Sequence, residues 1–309
     1  MIQTYSYEDF LPLEELCSLK QQSRETISIV IPALNEESTI GPIIESIRKL
    51  KENAGLVDEI IVMDDSSEDA TASVAQKNGA KVVQASEIGP QLPPRGKGLA
   101  LWKSQFVTGG SIIIFIDADL LDFDERFIIG LGGALLHNKG IELVKAAYHR
   151  SIQNGSETLN GSGGRVTEIL VRPLLNLFLP DLADLRQPLA GEYAVRRATL
   201  EKMHFYSGYG VEIGLLLEYY FTLGKEHIGQ VDTGGRSHRN RTLSELSHMS
   251  FEIGQVFFDY LENQKYCVFK YPRNTIISSC KSGIWKACQC EELRLQPKMT
   301  IEGAFPYDT

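Results

Sequence analysis

Short β-branched runs alternate with amphipathic stretches from residue 27 onward, and few folds accommodate that alternation. Residues 27–32 (ISIVIP) read as a buried strand that Pro32 ends. Residues 39–50 then carry Ile40, Ile43, Ile44, Ile47 and Leu50 at the spacing of one helical face. Ser38 or Thr39 is the expected cap, and Pro42 is tolerated in the first turn. The pattern repeats with a strand at 58–63, a helix at 68–78 closed by Gly79, and a third strand at 81–85. A loop with Pro90, Pro93, Pro94, Gly96 and Gly98 leads into a helix through Trp102. Residues 111–116 (SIIIFI) form the most apolar strand, expected at the centre of the sheet with both faces covered. Strands and helices in this order predict an α/β fold, a Rossmann-like, mostly parallel sheet flanked by helices.

Beyond residue 120 the pattern is mixed. Strands are expected at 141–148, 192–195 and 228–231, and helices at 166–178, 211–223 and 244–261; periodicity is weak from Asn263 onward. A chain of 309 residues, 43% hydrophobic and 23% charged, can bury a substantial core and has an ordinary globular composition. Its net charge of -9 argues against nucleic-acid partners, which require a strongly basic surface. Phosphate ligands stay possible, because a few local Arg and Lys residues suffice for them. Among the cysteines, Cys288 and Cys290 are too close for a zinc knuckle, and the set reads as free thiols in a reducing compartment. The acidic N-terminus has no apolar core, and no apolar run approaches the roughly 20 residues that cross a bilayer. The expectation is a cytoplasmic protein with no membrane partner.

The strongest chemical signal is Asp117-Ala118-Asp119, directly after the most apolar strand. Ligands of open α/β sheets bind beyond the carboxyl ends of strands, and two carboxylates there can hold a hard divalent cation. Such a cation offsets the charge that builds on a departing diphosphate. Pro32, Ala33, Leu34, Asn35 and Glu36 follow the first strand where a nicotinamide enzyme would carry G-x-G-x-x-G, and that pattern is absent. They offer a flat apolar surface for a base, with Glu36 able to accept from a ribose hydroxyl. After the second strand, Asp64 and Asp65 with Ser66 and Ser67 suit either a nucleoside contact or a helix cap. Arg95-Gly96-Lys97-Gly98 resembles a phosphate cradle but fails the Walker pattern, so Lys97 reads as a neutralising contact to a diphosphate. Glycine-rich residues 160–164 feed Arg165, Val166 and Thr167 into a helix, an arrangement suited to an anion. Residues 236–241 form a basic run in which His238 can complete a metal shell and Arg236 and Asn240 can bind oxygens.

Taken in order, PALNE, DDSS, RGKG, DAD, GGRVTE, Gly191-Glu192-Tyr193, GYGVEIG and HRNR resemble the glucosyl-3-phosphoglycerate synthases, retaining glycosyltransferases of the GT-A fold. The resemblance covers roughly residues 25 to 262, and GGRVTE, GYGVEIG and HRNR are its most specific motifs. It implies a nucleotide-sugar-binding half at 25–120 and an acceptor- and metal-binding half at 121–262 of one domain, between an N-terminal extension (1–24) and a C-terminal tail (263–309). It implies transfer of glucose from an NDP-glucose to 3-phosphoglycerate. Residues 32–36 and Asp65 would hold the nucleoside, Lys97 the diphosphate, and Asp119 with Asp117 and His238 a Mg2+ or Mn2+ ion. Gly164, Arg165, Val166 and Thr167, helped by Tyr209, Arg236 and Asn240, would bind the acceptor, and Glu212 would sit beside the transferring sugar, acting with Lys97 in catalysis. A homodimer is the implied assembly. Asp65 stands where some relatives have Ser, which leaves UDP, GDP and ADP open as the nucleotide. The competing enzymatic reading is an inverting GT-A transferase acting on a polyprenyl phosphate.

Overall fold

Residues 27–33 form a strand one residue longer than the sequence predicts, and alternate side chains along it enter different cores. The computed structural model describes residues 1–89, 92, 96–154, 157–160, 164–238, 242–281 and 284–301; at 149–154, 157–160, 236–238, 280, 281 and 284 only the backbone is described. The chain runs β1 (Gln3–Ser6), α1 (Leu13–Ser23), β2 (Ile27–Ala33), α2 (Ile40–Glu52), β3 (Glu59–Asp64), α3 (Thr71–Lys77), β4 (Lys81–Gln84), α4 (Lys97–Ser104) and β5 (Ile112–Phe115). It continues with α5 (Arg126–His137), β6 (Leu143–Asn154), β7 (Glu157–Asn160), α6 (Arg172–Phe178), β8 (Tyr193–Arg196) and α7 (Arg197–Leu200). Then come β9 (Phe205–Tyr206), α8 (Val211–Leu223), β10 (Ile228–His238) and α9 (Leu243–Asn263). After α9, β11 (Ile276–Lys281) and β12 (Ile284–Gln289) make a hairpin, and β13 (Arg294–Leu295) pairs with β9.

The main sheet has the order β1-β10-β6-β8-β5-β2-β3-β4, with β7 beside β6. Along that order only β8 runs against its neighbours, so the sheet is mostly parallel as expected, and β5 lies inside it between β8 and β2. The two-residue period of the strands divides the apolar side chains. Val30, Ile61, Met63, Ile113 and Phe115 join α4, α6, α8 and α9 on one face. Ile29, Ile31, Ile60, Val62, Ile112 and Ile114 join α1, α2 and α5 on the other. Both faces are therefore buried, which is why these strands read as continuous apolar runs.

Several elements differ from the sequence expectation for identifiable reasons. Helix α3 starts at Thr71 instead of 68, because Asp69 accepts from the Thr71 N–H at 2.9 Å and from the Glu37 N–H at 3.2 Å. Thr39 occupies the cap position of α2 but makes no side-chain cap bond; its hydroxyl donates to Glu36 Oε2 at 3.1 Å. Helix α5 has no counterpart in the sequence reading. It is buried all round, so it shows no polar face, and three glycines lower its helix propensity. Strand β10 runs on to His238 because it pairs with β6 across a register shift between Asp232 and Gly235. Among the described residues, no helix is long and apolar enough to cross a membrane.

The start of α4 packs directly on β9. A Cβ on Gly98 would lie 1.8 Å from the Tyr206 carbonyl oxygen and 2.8 Å from Val211 Cβ. Backbone cannot yield as a flexible side chain does. Gly98→Ala is expected to destabilise the fold by about 3 kcal/mol, the upper end of overpacking costs, read as a lower urea midpoint at unchanged slope.

Candidate active site

Four turns meet at one edge of the sheet. Those after β2, β3 and β5 lie at the carboxyl ends of parallel strands, and the antiparallel β8 begins at the same edge, with Tyr193 opposite Phe115. Gly191 enters this edge against the Asp117 carboxylate; a Cβ there would lie 2.3 Å from both carboxylate oxygens. The Gly191-Glu192-Tyr193 motif thus has a physical reason, since only glycine leaves room for Asp117.

Lys97 is the first residue of α4, and its ammonium joins two other elements. Nζ donates to Asp117 Oδ1 at 2.7 Å and lies 2.6 Å from Glu212 Oε1 in the first turn of α8. The Glu212 side chain is only 6% exposed, so the ion pair is largely shielded from water. Burial alone would lower the pKa of Lys97, but the charges of Asp117 and Glu212 more than reverse this and hold it well above the ordinary lysine value. The site therefore holds a fixed positive charge beside two carboxylates.

Pro32, Ala33, Leu34, Glu36, Asp65, Lys97, Asp117 and Asp119 all line one cavity. Asn35 is the donor candidate that does not. Its backbone takes a left-handed conformation at φ 56°, its N–H donates to Ser67 Oγ at 3.0 Å and its side-chain oxygen accepts from the Glu68 N–H at 2.8 Å. It ties the first turn to the second. Asp65 both lines the cavity and accepts from the Gly96 N–H at 3.0 Å, which anchors the residue before α4. Tyr209, grouped with the acceptor residues in the sequence, lines the same cavity as the donor residues.

Gly164 adopts a left-handed conformation at φ 78°, and Thr167 opens a π-helical turn (Thr167–Val171) that continues into α6. Arg165 is half-buried, whereas Val166 and Thr167 are buried. The backbone of Arg236 and His238 belongs to β10, in register with Arg150 and Ile152 of β6. Asn240 and the side chains of Arg236 and His238 lie outside the described residues.

The sequence reading assigned no role to Lys145, Glu192 or Tyr193. Lys145 is buried, donates to the Ala190 carbonyl at 2.7 Å and stands 4.8 Å from the Tyr193 ring centroid. Burial drives its ammonium pKa down to about 8, against the pull of Glu212. Glu192, fully buried, accepts from the Tyr148 hydroxyl at 2.8 Å. A lone lysine in the apolar run LVKAAY was the available signal, because lysines are almost never fully buried without a partner.

Residues 28–150 match the sequence family described as Glycosyl transferase family 2. The chain is 44% identical over 261 residues to glucosyl-3-phosphoglycerate synthase of Petrotoga mobilis, a match covering 84% of this chain and 80% of that relative. It is similar to the crystal structure of mannosyl-3-phosphoglycerate synthase from Rubrobacter xylanophilus, with a TM-score of 0.88, 33% identity and 97% of each chain covered. Glucosyl-3-phosphoglycerate synthase from Mycobacterium tuberculosis, solved in complex with Mn2+, UDP-glucose and phosphoglyceric acid, gives a TM-score of 0.84 at 38% identity. That match covers 97% of this chain and 98% of the other.

The Lys97 bridge has a measurable consequence. Lys97→Met leaves Asp117 and Glu212 facing each other without the cation and is expected to cost about 3 kcal/mol. Removing one of the stranded charges should recover part of that loss. The Lys97→Met, Glu212→Gln double variant is therefore expected to be more stable to urea than Lys97→Met alone; equal or lower stability would show that the bridge is not the reason for the loss.

Proposed function

The chain belongs to the glucosyl-3-phosphoglycerate synthase family, and we propose that it transfers glucose from an NDP-glucose to 3-phospho-D-glycerate with retention at the edge just described. The observation that carries this reading is the single cavity in which the turn after β2, Asp65, Lys97, Asp117 and Asp119 meet. The apolar turn at 32–34 takes the base, with Glu36 and Asp65 near the ribose and Lys97 toward the diphosphate. UDP-glucose is the first donor to test, because the Mycobacterium tuberculosis relative was solved with it.

The donor set fits a hard divalent cation. Asp117 and Asp119 are carboxylates lining one cavity, and oxygen ligands suit Mg2+ and Mn2+. Asp119 is the main ligand in this reading, since Asp117 Oδ1 is engaged by Lys97, and His238 completes the protein shell. The ion would offset charge developing on the departing diphosphate. Gly164, Arg165, Val166 and Thr167, with Arg236 and Asn240, take the phosphate and carboxylate of the acceptor, and Tyr209 stands between the two substrates.

Glu212 is held against Lys97 and is nearly excluded from water, a poor situation for a carboxylate that must attack a sugar. This favours front-face attack, in which the acceptor hydroxyl enters on the side from which the diphosphate leaves. Its proton passes to the departing phosphate oxygen, while the protein supplies alignment and charge stabilisation. The proposed assembly is a cytoplasmic homodimer. Exposed Val268, Tyr271 and Trp285 on the C-terminal segment supply apolar surface for such contacts.

The decisive assay follows nucleotide release from UDP-glucose with Mg2+, with and without 3-phosphoglycerate, and with GDP-glucose and ADP-glucose as further donors. Release that requires both metal and acceptor is expected, and the anomeric proton coupling of the product should report retention. No acceptor-dependent release from any nucleotide-sugar would overturn the acceptor assignment. Asp119→Ala is expected to lower turnover on the order of 100-fold, the scale of losing one fixed contact to developing charge. Arg165→Ala should raise the KM for 3-phosphoglycerate at least about tenfold and leave that for the donor unchanged, as loss of a charge-assisted contact to the acceptor alone requires.

A further inference from the structure

The segment after β12 returns to the turn that carries Tyr209. Three consecutive amides of this turn are taken by two carboxylates. The Gly208 and Gly210 N–H groups donate to Oε2 and Oε1 of Glu292, each at 2.8 Å, and the Tyr209 N–H donates to Glu252 Oε2 at 2.8 Å. Successive amides of this kind make an anion-binding concavity, and here the chain fills it with its own carboxylates. Glu252 is held in turn by the Cys290 thiol, which donates to its Oε1 at 3.2 Å.

The same segment continues along the site. Ser207 and Leu293 exchange two bonds of 3.0 Å, β13 pairs with β9, and the Gln296 carbonyl accepts from Trp102 Nε1 on α4 at 2.8 Å. The clamped turn also seats the start of α4. Its Ser207 carbonyl accepts from the Leu99 N–H at 2.9 Å and its Gly208 carbonyl from the Gly98 N–H at 3.3 Å. Lys97 precedes these two residues, so few bonded links separate Glu292 from the Lys97 bridge.

We propose that Glu292 is a positioning residue for the transfer site. By clamping Gly208 and Gly210 it fixes the turn that presents Tyr209 to the cavity and seats the helix end that carries Lys97. The inference rests on the donor role given to Lys97. The Glu292 carboxyl is pushed up to about 7 by burial, against the pull of the Gly208 and Gly210 amides and with the help of its neighbour Glu252. A carboxylate buried at that cost is retained only with good hydrogen-bond partners, and the two amides are those partners. No isosteric neutral side chain replaces it, because a glutamine offers one acceptor and turns an N–H donor toward the second amide.

The test compares wild type with Glu292→Gln in steady-state kinetics with UDP-glucose and 3-phosphoglycerate, and in calorimetric titration with UDP and Mn2+. Wild-type turnover reports on the family reading; the ratio of variant to wild type reports on the clamp. The calorimetric arm needs no acceptor, so it stands even if the acceptor assignment fails. The variant is expected to weaken UDP binding and raise the KM for UDP-glucose about tenfold, lower kcat, and change the KM for 3-phosphoglycerate by a smaller factor. A kcat that falls in step with the folded fraction while donor KM and UDP affinity hold would make Glu292 merely structural and overturn the proposal. Unchanged kinetics would overturn it as well. If Glu292→Gln fails to fold, Ser207→Ala removes only the acceptor of the Leu293 N–H and should shift the donor parameters in the same direction by a smaller factor. Wild-type donor parameters in Ser207→Ala would then overturn the clamp.

Discussion

The ammonium of Lys97, set between Asp117 and Glu212, ties three elements into one site: the turn after β5, the start of α4 and the first turn of α8. Two carboxylates brought together in a place poor in water would repel each other and pay for desolvation; the cation between them removes the first cost and offsets much of the second. Much of the local architecture serves that arrangement. Gly191 leaves room for the Asp117 carboxylate, Gly98 lets α4 approach β9, and Asp65 anchors the residue before α4. The C-terminal segment adds a second layer by holding the turn from which α8 starts.

A site built this way is organised before substrate arrives. Lys97 stays protonated through the neutral and alkaline range, because the two carboxylates raise its pKa well above the ordinary value. Its charge is fixed in place by partners on two other elements, so little reorganisation would be needed in the proposed role beside a departing diphosphate. The same bridge restrains Glu212, in keeping with the stabilising and orienting role proposed for it. Buried Lys145, over the Tyr193 ring and bonded to the carbonyl of Ala190, the residue before Gly191, adds a further tie at this edge of the sheet.

Most parts of the site legible in the sequence lie in turns where an apolar run ends; Lys97, at the start of α4 after a proline- and glycine-rich loop, was legible instead from its RGKG motif. Pro32, Asp65 and Asp117 could be placed at one edge because parallel strands in such a sheet end at the same side. Asn35 sits in one of those turns, yet its bonds to Ser67 and Glu68 make it a tie between turns instead of a cavity wall. Tyr209 stands far along the chain from the donor motifs, and only packing shows that it shares their cavity. Glu292 could not be found at all. Its role comes from two backbone amides, and backbone amides leave no trace in residue identity.

The sequence by itself determined the alternation of strands and helices, the mostly parallel sheet and the edge at which its acidic turns gather, because burial on both faces and helical spacing are written directly in the order of apolar residues. Only the tertiary structure decided that β8 runs against its neighbours, that α5 is a helix buried on all sides, and that the weakly patterned C-terminal segment braces the Lys97 bridge. Those features depend on contacts between residues far apart in the chain. Local pattern carries the period of an element and the ends of a strand; which distant backbone groups a carboxylate or an ammonium will meet is settled only when the chain packs.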